Sequence, residues 1–191
     1  MADHELWLVR HGATEWSEAG KHTSVTDLPL TPGGEDVARR LRERLTADLP
    51  DPALVLTSPR QRARRTAELA GFPDAEVDDD LVEWAYGEVE GISTAEYRET
   101  VPGWTVWTHE TPGGESAAEV GARLDRVVAR ARAAAGPTLV FGHGHALRVL
   151  TARWLELPPT EGRHFVLGTA TVSVLGWERD TPAVHRWNCG P

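Results

Sequence analysis

Three short stretches of this chain are apolar through their centres: ELWLVR (residues 5–10), ALVLT (53–57) and TLVFG (138–142). A half-exposed strand alternates apolar and polar positions, so unbroken apolar runs predict strands buried on both faces of a parallel sheet covered by helices. Helical patterns follow them. Thr31 as N-cap and Pro32 at the first helical position open a helix that turns Val37, Leu41 and Leu45 inward, with Arg39, Arg40, Arg42, Glu43 and Arg44 mostly on its wet face. A second helix is predicted from about Arg60 to Ala70. A third starts at the capping box Ser116–Glu119, carries Val120, Leu124, Val127 and Val128 inward, and stops at Gly136 and Pro137. A fourth runs from about Ala146 to Leu155, ahead of Pro158 and Pro159.

The chain's end alternates in HFVL (164–167), TVSVLGW (171–177) and AVHRW (183–187), which predicts strands at one sheet edge. The pentapeptide TPGGE occurs at 31–35 and again at 111–115, with unrelated flanks, and reads as two helix entrances. From Asp74 to Gly114 the pattern is irregular and aromatic, with Trp84, Tyr86, Trp104 and Trp107 placed to roof a pocket, whereas Trp7, Trp154, Trp177 and Trp187 read as core. The prediction is one α/β domain over residues 1–191: three layers, a mostly parallel central sheet flanked by helices, and an insertion over about 74–115.

Composition narrows the function classes. A formal net charge of −9 argues against a broad basic surface for nucleic acid or anionic membrane, so an anionic ligand must be held by a concentrated site. No apolar run approaches the roughly 18 residues of a membrane span, and the acidic start MADHELWLVR lacks the basic, then apolar, order of a secretion signal. A cytoplasmic protein is expected. Cys189 is the single cysteine, which leaves no intramolecular disulfide or cysteine-based metal cluster.

Ligands of parallel α/β sheets bind beyond the carboxyl ends of the strands. There the chain delivers Arg10 and His11 after one strand, the arginines of TSPRQRARRTA after another, and His143 after a third, each leading toward a helix or loop whose free N–H groups favour an anion. Arginine, histidine and helix N-termini together suit phosphate. Two unit charges about 4 Å apart interact by about 4 kcal/mol at an effective dielectric near 20, so arginines beside His11 would keep its imidazole neutral and nucleophilic below neutral pH.

The segments LVRHGATEW, TSPRQRARRTA, DDDLVEWAYGEVEG and FGHGHALR, in that order, resemble the four motifs of the histidine phosphatase, or phosphoglycerate mutase-like, superfamily. The resemblance covers nearly the whole chain and is closest to acid and sugar-phosphate phosphatases. It implies that His11 attacks phosphorus, that Arg10, Arg62 and His143 hold the phosphoryl oxygens, and that Glu83, with Glu88 or Glu90 as substitutes, protonates the leaving oxygen and then activates water. Ser17, Thr23, Ser24, Gly144, His145, Trp84, Tyr86 and Trp104 are the expected substrate contacts. Ser17, Ser24 and His145 depart from residues common in the family. No metal or cofactor is implied, and the expected partner is a small phosphate ester bound by a monomer or homodimer.

Other readings fare less well. His143 and His145 lack further zinc ligands at a recognisable spacing. DDDLV (78–82) mimics an aspartate-nucleophile phosphatase, yet the sole lysine, Lys21, precedes it. Cys189 has no arginine after it for a cysteine phosphatase, and there is no Gly-Lys-Ser/Thr phosphate loop. His4, His22, His109, His164 and His185 read as surface or packing residues, with His22 nearest the expected pocket. Phosphoglycerate mutase is the alternative within enzymes, disfavoured because only Arg98 supplies a strong cation between Tyr86 and Ser116. A non-catalytic phosphate-ligand sensor or scaffold is the alternative outside them.

Overall fold

The computed structural model describes residues 4–191. Met1 to Asp3, which entered the reading of the N-terminus, lie outside them. In chain order the strands are β1 (Leu6–Arg10), β2 (Leu54–Thr57), β3 (Glu76–Val77), β4 (Thr138–Gly142), β5 (Val172–Glu178) and β6 (Thr181–Cys189). The helices are α1 (Glu15–Glu18), α2 (Pro32–Asp48), α3 (Gln61–Leu69), α4 (Thr94–Thr100), α5 (Ala117–Ala133) and α6 (Gly144–Trp154). Among the described residues no helix is long and apolar enough to cross a membrane.

One six-stranded sheet has the order β3-β2-β4-β1-β5-β6. Pairing is parallel from β3 through β1 and antiparallel from β1 through β6. The apolar runs are buried on both faces, as their lack of alternation requires. Leu6 and Leu8 of β1 pack with Val140 of β4 and with Val120, Leu124 and Val127 of α5 on one side. Trp7 and Val9 pack with Leu139 and Phe141 and with Leu41 and Leu45 of α2 on the other. Helices on both faces of the sheet make the three layers.

The helix signals hold closely. Thr31 Oγ1 accepts from the Gly34 amide at 3.0 Å, and Ser116 and Glu119 form their reciprocal box. Helix α6 starts two residues before the expected Ala146, because His143 itself is the N-cap.

Three sequence expectations need correction. HFVL is not a strand: His164 ends a 3₁₀ turn (Pro159–His164), and the carbonyls beyond it serve side chains, Leu167 O accepting from Arg10 at 2.5 Å and Val166 O from Trp187 Nε1 at 2.7 Å. The second TPGGE is not a helix start. It crosses residues 85–88 so closely that a Cβ on Gly87 would lie 2.0 Å from the Pro112 carbonyl oxygen, and one on Gly114 would lie 2.4 Å from that of Ala85. Trp177 and Trp187 are only partly buried, at the core's margin.

The first TPGGE has a different neighbour. A Cβ on Gly34 would stand 2.3 Å from the Ala13 carbonyl oxygen, and one on Gly12 would stand 2.6 Å from the Gly34 carbonyl oxygen. The loop that follows His11 therefore lies directly on the start of α2, tied there by the Thr31 amide donating to Ala13 O at 2.8 Å. Next to Gly34, Gly33 faces open space. Gly34→Ala should lower the unfolding free energy by about 1–3 kcal/mol in urea denaturation, because backbone cannot give way cheaply. Gly33→Ala should cause no loss, since alanine is the better helix former. Equal effects of the two substitutions would contradict this packing.

Candidate active site

Strands β1 and β4 are neighbours in register, Arg10 facing Gly142, so the residues that follow them emerge side by side. His11 and His143 meet edge to face with ring centroids 5.2 Å apart. His11 is buried, and its Nδ1 lies 2.7 Å from the Gly12 carbonyl oxygen. A carbonyl only accepts, so Nδ1 carries the proton and Nε2 keeps the lone pair. Burial holds the imidazole well below its usual pKa, helped by the charges of Arg10 and Arg62 and opposed by the Gly12 bond. The ring is thus neutral, with a free Nε2 lone pair, in a cationic surround. The Gly12 amide donates to Thr66 Oγ1 at 3.0 Å, which pins the loop to α3.

The second histidine is fixed differently. His143 Nε2 pairs with Ser58 Oγ at 2.7 Å, and burial first, then Arg62, His11 and Arg10, push its pKa far down. Arg62, wholly buried, donates to the carbonyls of Thr26 (3.0 Å), Thr23 (3.1 Å) and Ser24 (3.3 Å), organising the loop after the nucleophile. Arg10 Nε, Arg62 Nε and His143 Nδ1 are buried without a protein partner. Leaving such an atom unpaired costs about 1–3 kcal/mol, and these three, from three segments, belong to residues gathered around His11, whereas the other five such atoms among the described residues belong to Arg44, Arg60, Trp104, Thr111 and Thr138.

Glu83 closes the arrangement. Its Oε1 accepts from the amides of Trp84 (2.9 Å) and Ala146 (2.8 Å), and its Oε2 from that of His145 (3.0 Å), so the carboxylate caps the N-terminus of α6. Tyr86 Oη and His145 Nδ1 are 2.5 Å apart beside it. Burial raises the Tyr86 pKa well above its usual value, with the Glu83 charge adding to the shift. The pKa of His145 is pushed down by burial, then by Arg148 and His22.

These groups border a cleft of about 210 Å³. Arg10, His11 and Glu83 line it, as do the expected contacts Ser17, Thr23, Tyr86, Gly144 and His145. Arg62 and His143 have no exposed surface and lie behind this lining. Ser24, Trp84 and Trp104 do not line the cleft, contrary to expectation. Ser24 spends its hydroxyl and amide on Glu90, at 2.5 and 2.9 Å. Trp84 donates to Glu115 O at 2.8 Å and packs edge-on against Trp107, while Trp104 is sandwiched with Tyr97 and His22. Both tryptophans form the wall's backing.

Sequence reasoning missed other lining residues: Thr14, Gly20, Lys21, Thr94, Arg148 and Leu167. His22, singled out as nearest the pocket, does line it. Arg148 was detectable, because it sits one helical turn beyond Gly144 and so shares its face. Thr94 gave no signal; it arrives through the fold of the irregular insertion.

Buried neutral histidines make stability depend on pH. His11 and His143 have folded-state pKa values below 6.5, so the unfolded chain binds more protons than the folded one as pH falls through that value. Above pH 6.5 both states hold the rings neutral; below it protonation of the unfolded chain destabilises the fold by up to about 1.4 kcal/mol per pH unit for each ring. The urea midpoint should therefore fall between pH 7 and 5, and a midpoint constant over that range would contradict the buried neutral rings.

The chain is similar to known proteins over nearly its whole length. The family model of the histidine phosphatase superfamily (branch 1) matches residues 6–190. An acid phosphatase of Mycobacterium tuberculosis is 42% identical over 181 residues, covering 93% of this chain and 89% of the relative. A sedoheptulose 1,7-bisphosphatase of Saccharomyces cerevisiae is 38% identical over 181 residues, covering 78% of this chain and 67% of the relative. The solved structure of an open reading frame product from Mycobacterium tuberculosis matches with a TM-score of 0.93 at 40% identity, covering 98% of each chain. With the family model spanning residues 6–190 and a relative 42% identical over 93% of the chain, the chain belongs to the histidine phosphatase superfamily.

Proposed function

We propose that the protein is a metal-independent phosphomonoesterase that hydrolyses small phosphate esters, sugar phosphates foremost, through a phosphohistidine on His11. The observation that carries this reading is the neutral His11 ring set among the unpartnered Arg10 Nε, Arg62 Nε and His143 Nδ1. The neutral Nε2 attacks phosphorus as the ester P–O bond breaks, and Glu83 gives its proton to the leaving oxygen. Water then attacks the phosphorus, Glu83 takes a proton from it, the P–N bond breaks, and inorganic phosphate leaves with His11 neutral again. Arg10 and Arg62 stabilise the charge on the equatorial oxygens throughout, where positioning and electrostatics carry phosphoryl transfer.

A cleft of about 210 Å³ suits a small ester. The names of the acid phosphatase and the sugar bisphosphatase among the relatives support the same class. Arg98 lies outside the cleft, its Nε donating to Trp104 O at 2.7 Å, so the sole strong cation between Tyr86 and Ser116 does not serve a mutase's second phosphate. The reading places a single catalytic domain in the cytoplasm, as monomer or homodimer, with no nucleic-acid or membrane partner.

Phosphate release from sugar phosphates, phosphoglycerates and p-nitrophenyl phosphate should persist in EDTA and fall at least about 1,000-fold in His11→Ala. Turnover surviving in that variant would exclude the phosphohistidine route, and isomerisation outpacing phosphate release would identify a mutase. Glu83→Gln should slow sugar phosphates by about 100- to 10,000-fold. It should slow p-nitrophenyl phosphate much less, since that leaving group departs without a proton. Equal slowing of both would remove Glu83 as the acid.

A further inference from the structure

The cleft holds more positive charge than one phosphate requires. Arg10, Lys21 and Arg148 line it against a single carboxylate, Glu83, in a chain whose formal charge is −9. Arg10, together with Arg62 behind it, answers a phosphate dianion. Arg148 then has only the Glu83 carboxylate near it in the lining, while Lys21 also feels the Glu96 carboxylate outside the cleft.

Arg148 is also held as a binding group is held. Its guanidinium stacks over the Trp107 ring at 4.7 Å, Nε donates to Gly162 O at 3.1 Å, and Nη2 donates to Arg163 O at 3.0 Å. Carbonyls fix a guanidinium without neutralising it. Most arginines on the outer helices are treated otherwise: Arg39, Arg65, Arg126, Arg130 and Arg153 each pair with a carboxylate. Among the described residues Arg148 makes no ion pair, although it is half-buried and lines the cleft. A role limited to fastening α6 to the 3₁₀ turn would explain the two carbonyl bonds but not a preorganised, unneutralised charge facing the nucleophile's cleft.

We propose that Arg148 is a specificity-determining residue that binds a second anionic group on the alcohol part of the substrate, either a carboxylate or a second phosphate. The inference rests on the phosphatase reading and deepens it. The preferred substrates are small diacids of this kind, with the reacting phosphoryl group at His11 and the other anion on Arg148, assisted at longer range by Lys21. Esters with an uncharged alcohol part bind through the phosphoryl group alone.

The test compares kcat/KM for 3-phosphoglycerate and fructose 1,6-bisphosphate, which carry the two kinds of second anion, with that for glucose 6-phosphate and p-nitrophenyl phosphate, which carry none. In Arg148→Met, which keeps an apolar stem on Trp107, the ratio of the first class to the second should fall about 10- to 100-fold, the usual range for losing a hydrogen bond to a charged group. A fall for one diacid only would tell carboxylate from phosphate. Arg148→Lys, which keeps the charge but not the planar fork, should lose less, and it serves if the Met variant does not fold. An unchanged ratio with an active wild type would overturn the proposal and leave the phosphatase reading standing. Calorimetric titration of His11→Ala, with and without Arg148→Met, applies the same esters without turnover. Weaker binding of the diacids alone would support the assignment even if the wild type released no phosphate, and equal binding by both proteins would sink it.

Discussion

The parallel ladder between β1 and β4 is the constraint on which the site depends. With Arg10 opposite Gly142, the next residue of each strand is a histidine, and the two rings have no choice but to meet. A slip of one residue would turn Leu6 and Leu8 from one core face to the other and would separate the rings. The large apolar side chains that bury both strands therefore fix the placement of the two histidines as well as stabilising the fold. Strand β2 sits on the far side of β4, so α3 brings Arg62 to the same edge.

The site's electrostatics follow from that burial. Arginine beside histidine on an exposed surface would be screened by water, whereas here desolvation and fixed guanidinium charge act in the same direction and keep both rings neutral. Each member is held by groups that leave its working atom free. The Gly12 carbonyl leaves His11 Nε2 its lone pair, Ser58 holds His143 by its Nε2, and the loop carbonyls occupy the terminal nitrogens of Arg62. An acidic protein can in this way keep a local cationic cleft without any broad basic surface.

The insertion between β3 and α5 works mainly from behind. Trp84, Val89, Trp104 and Val106 join the core that packs against α5 and α6. Gly87 and Gly114 permit the close crossing that brings Glu115 to the Ala85 amide at 2.9 Å and to Arg123 at 2.8 Å. The same packing carries Glu83 to the N-terminus of α6, where three backbone amides orient it. Tyr86, His145 and Arg148 line the cleft in front of that packing.

Where the determining signal is local, the sequence alone carries it. Short apolar runs bounded by turn and helix signals read as two-sided strands, Thr31 and Ser116 cap their helices through atoms three residues away, and Arg10, His11, Arg62 and His143 are legible because each stands at the end of a strand, just after one, or early in the helix that follows one. Where a side chain's partner is distant in the chain, the sequence is silent. Ser24 looks like a substrate contact until Glu90 claims it, HFVL looks like a strand until Arg10 and Trp187 take its carbonyls, and the second TPGGE looks like a helix entrance until residues 85–88 cross it. Trp84 and Trp104 have the composition of a pocket wall, and only packing decides that they stand behind it. Local chemistry wrote the motifs, while the competition for buried hydrogen bonds and apolar volume, settled only on folding, decided which of them face the cleft.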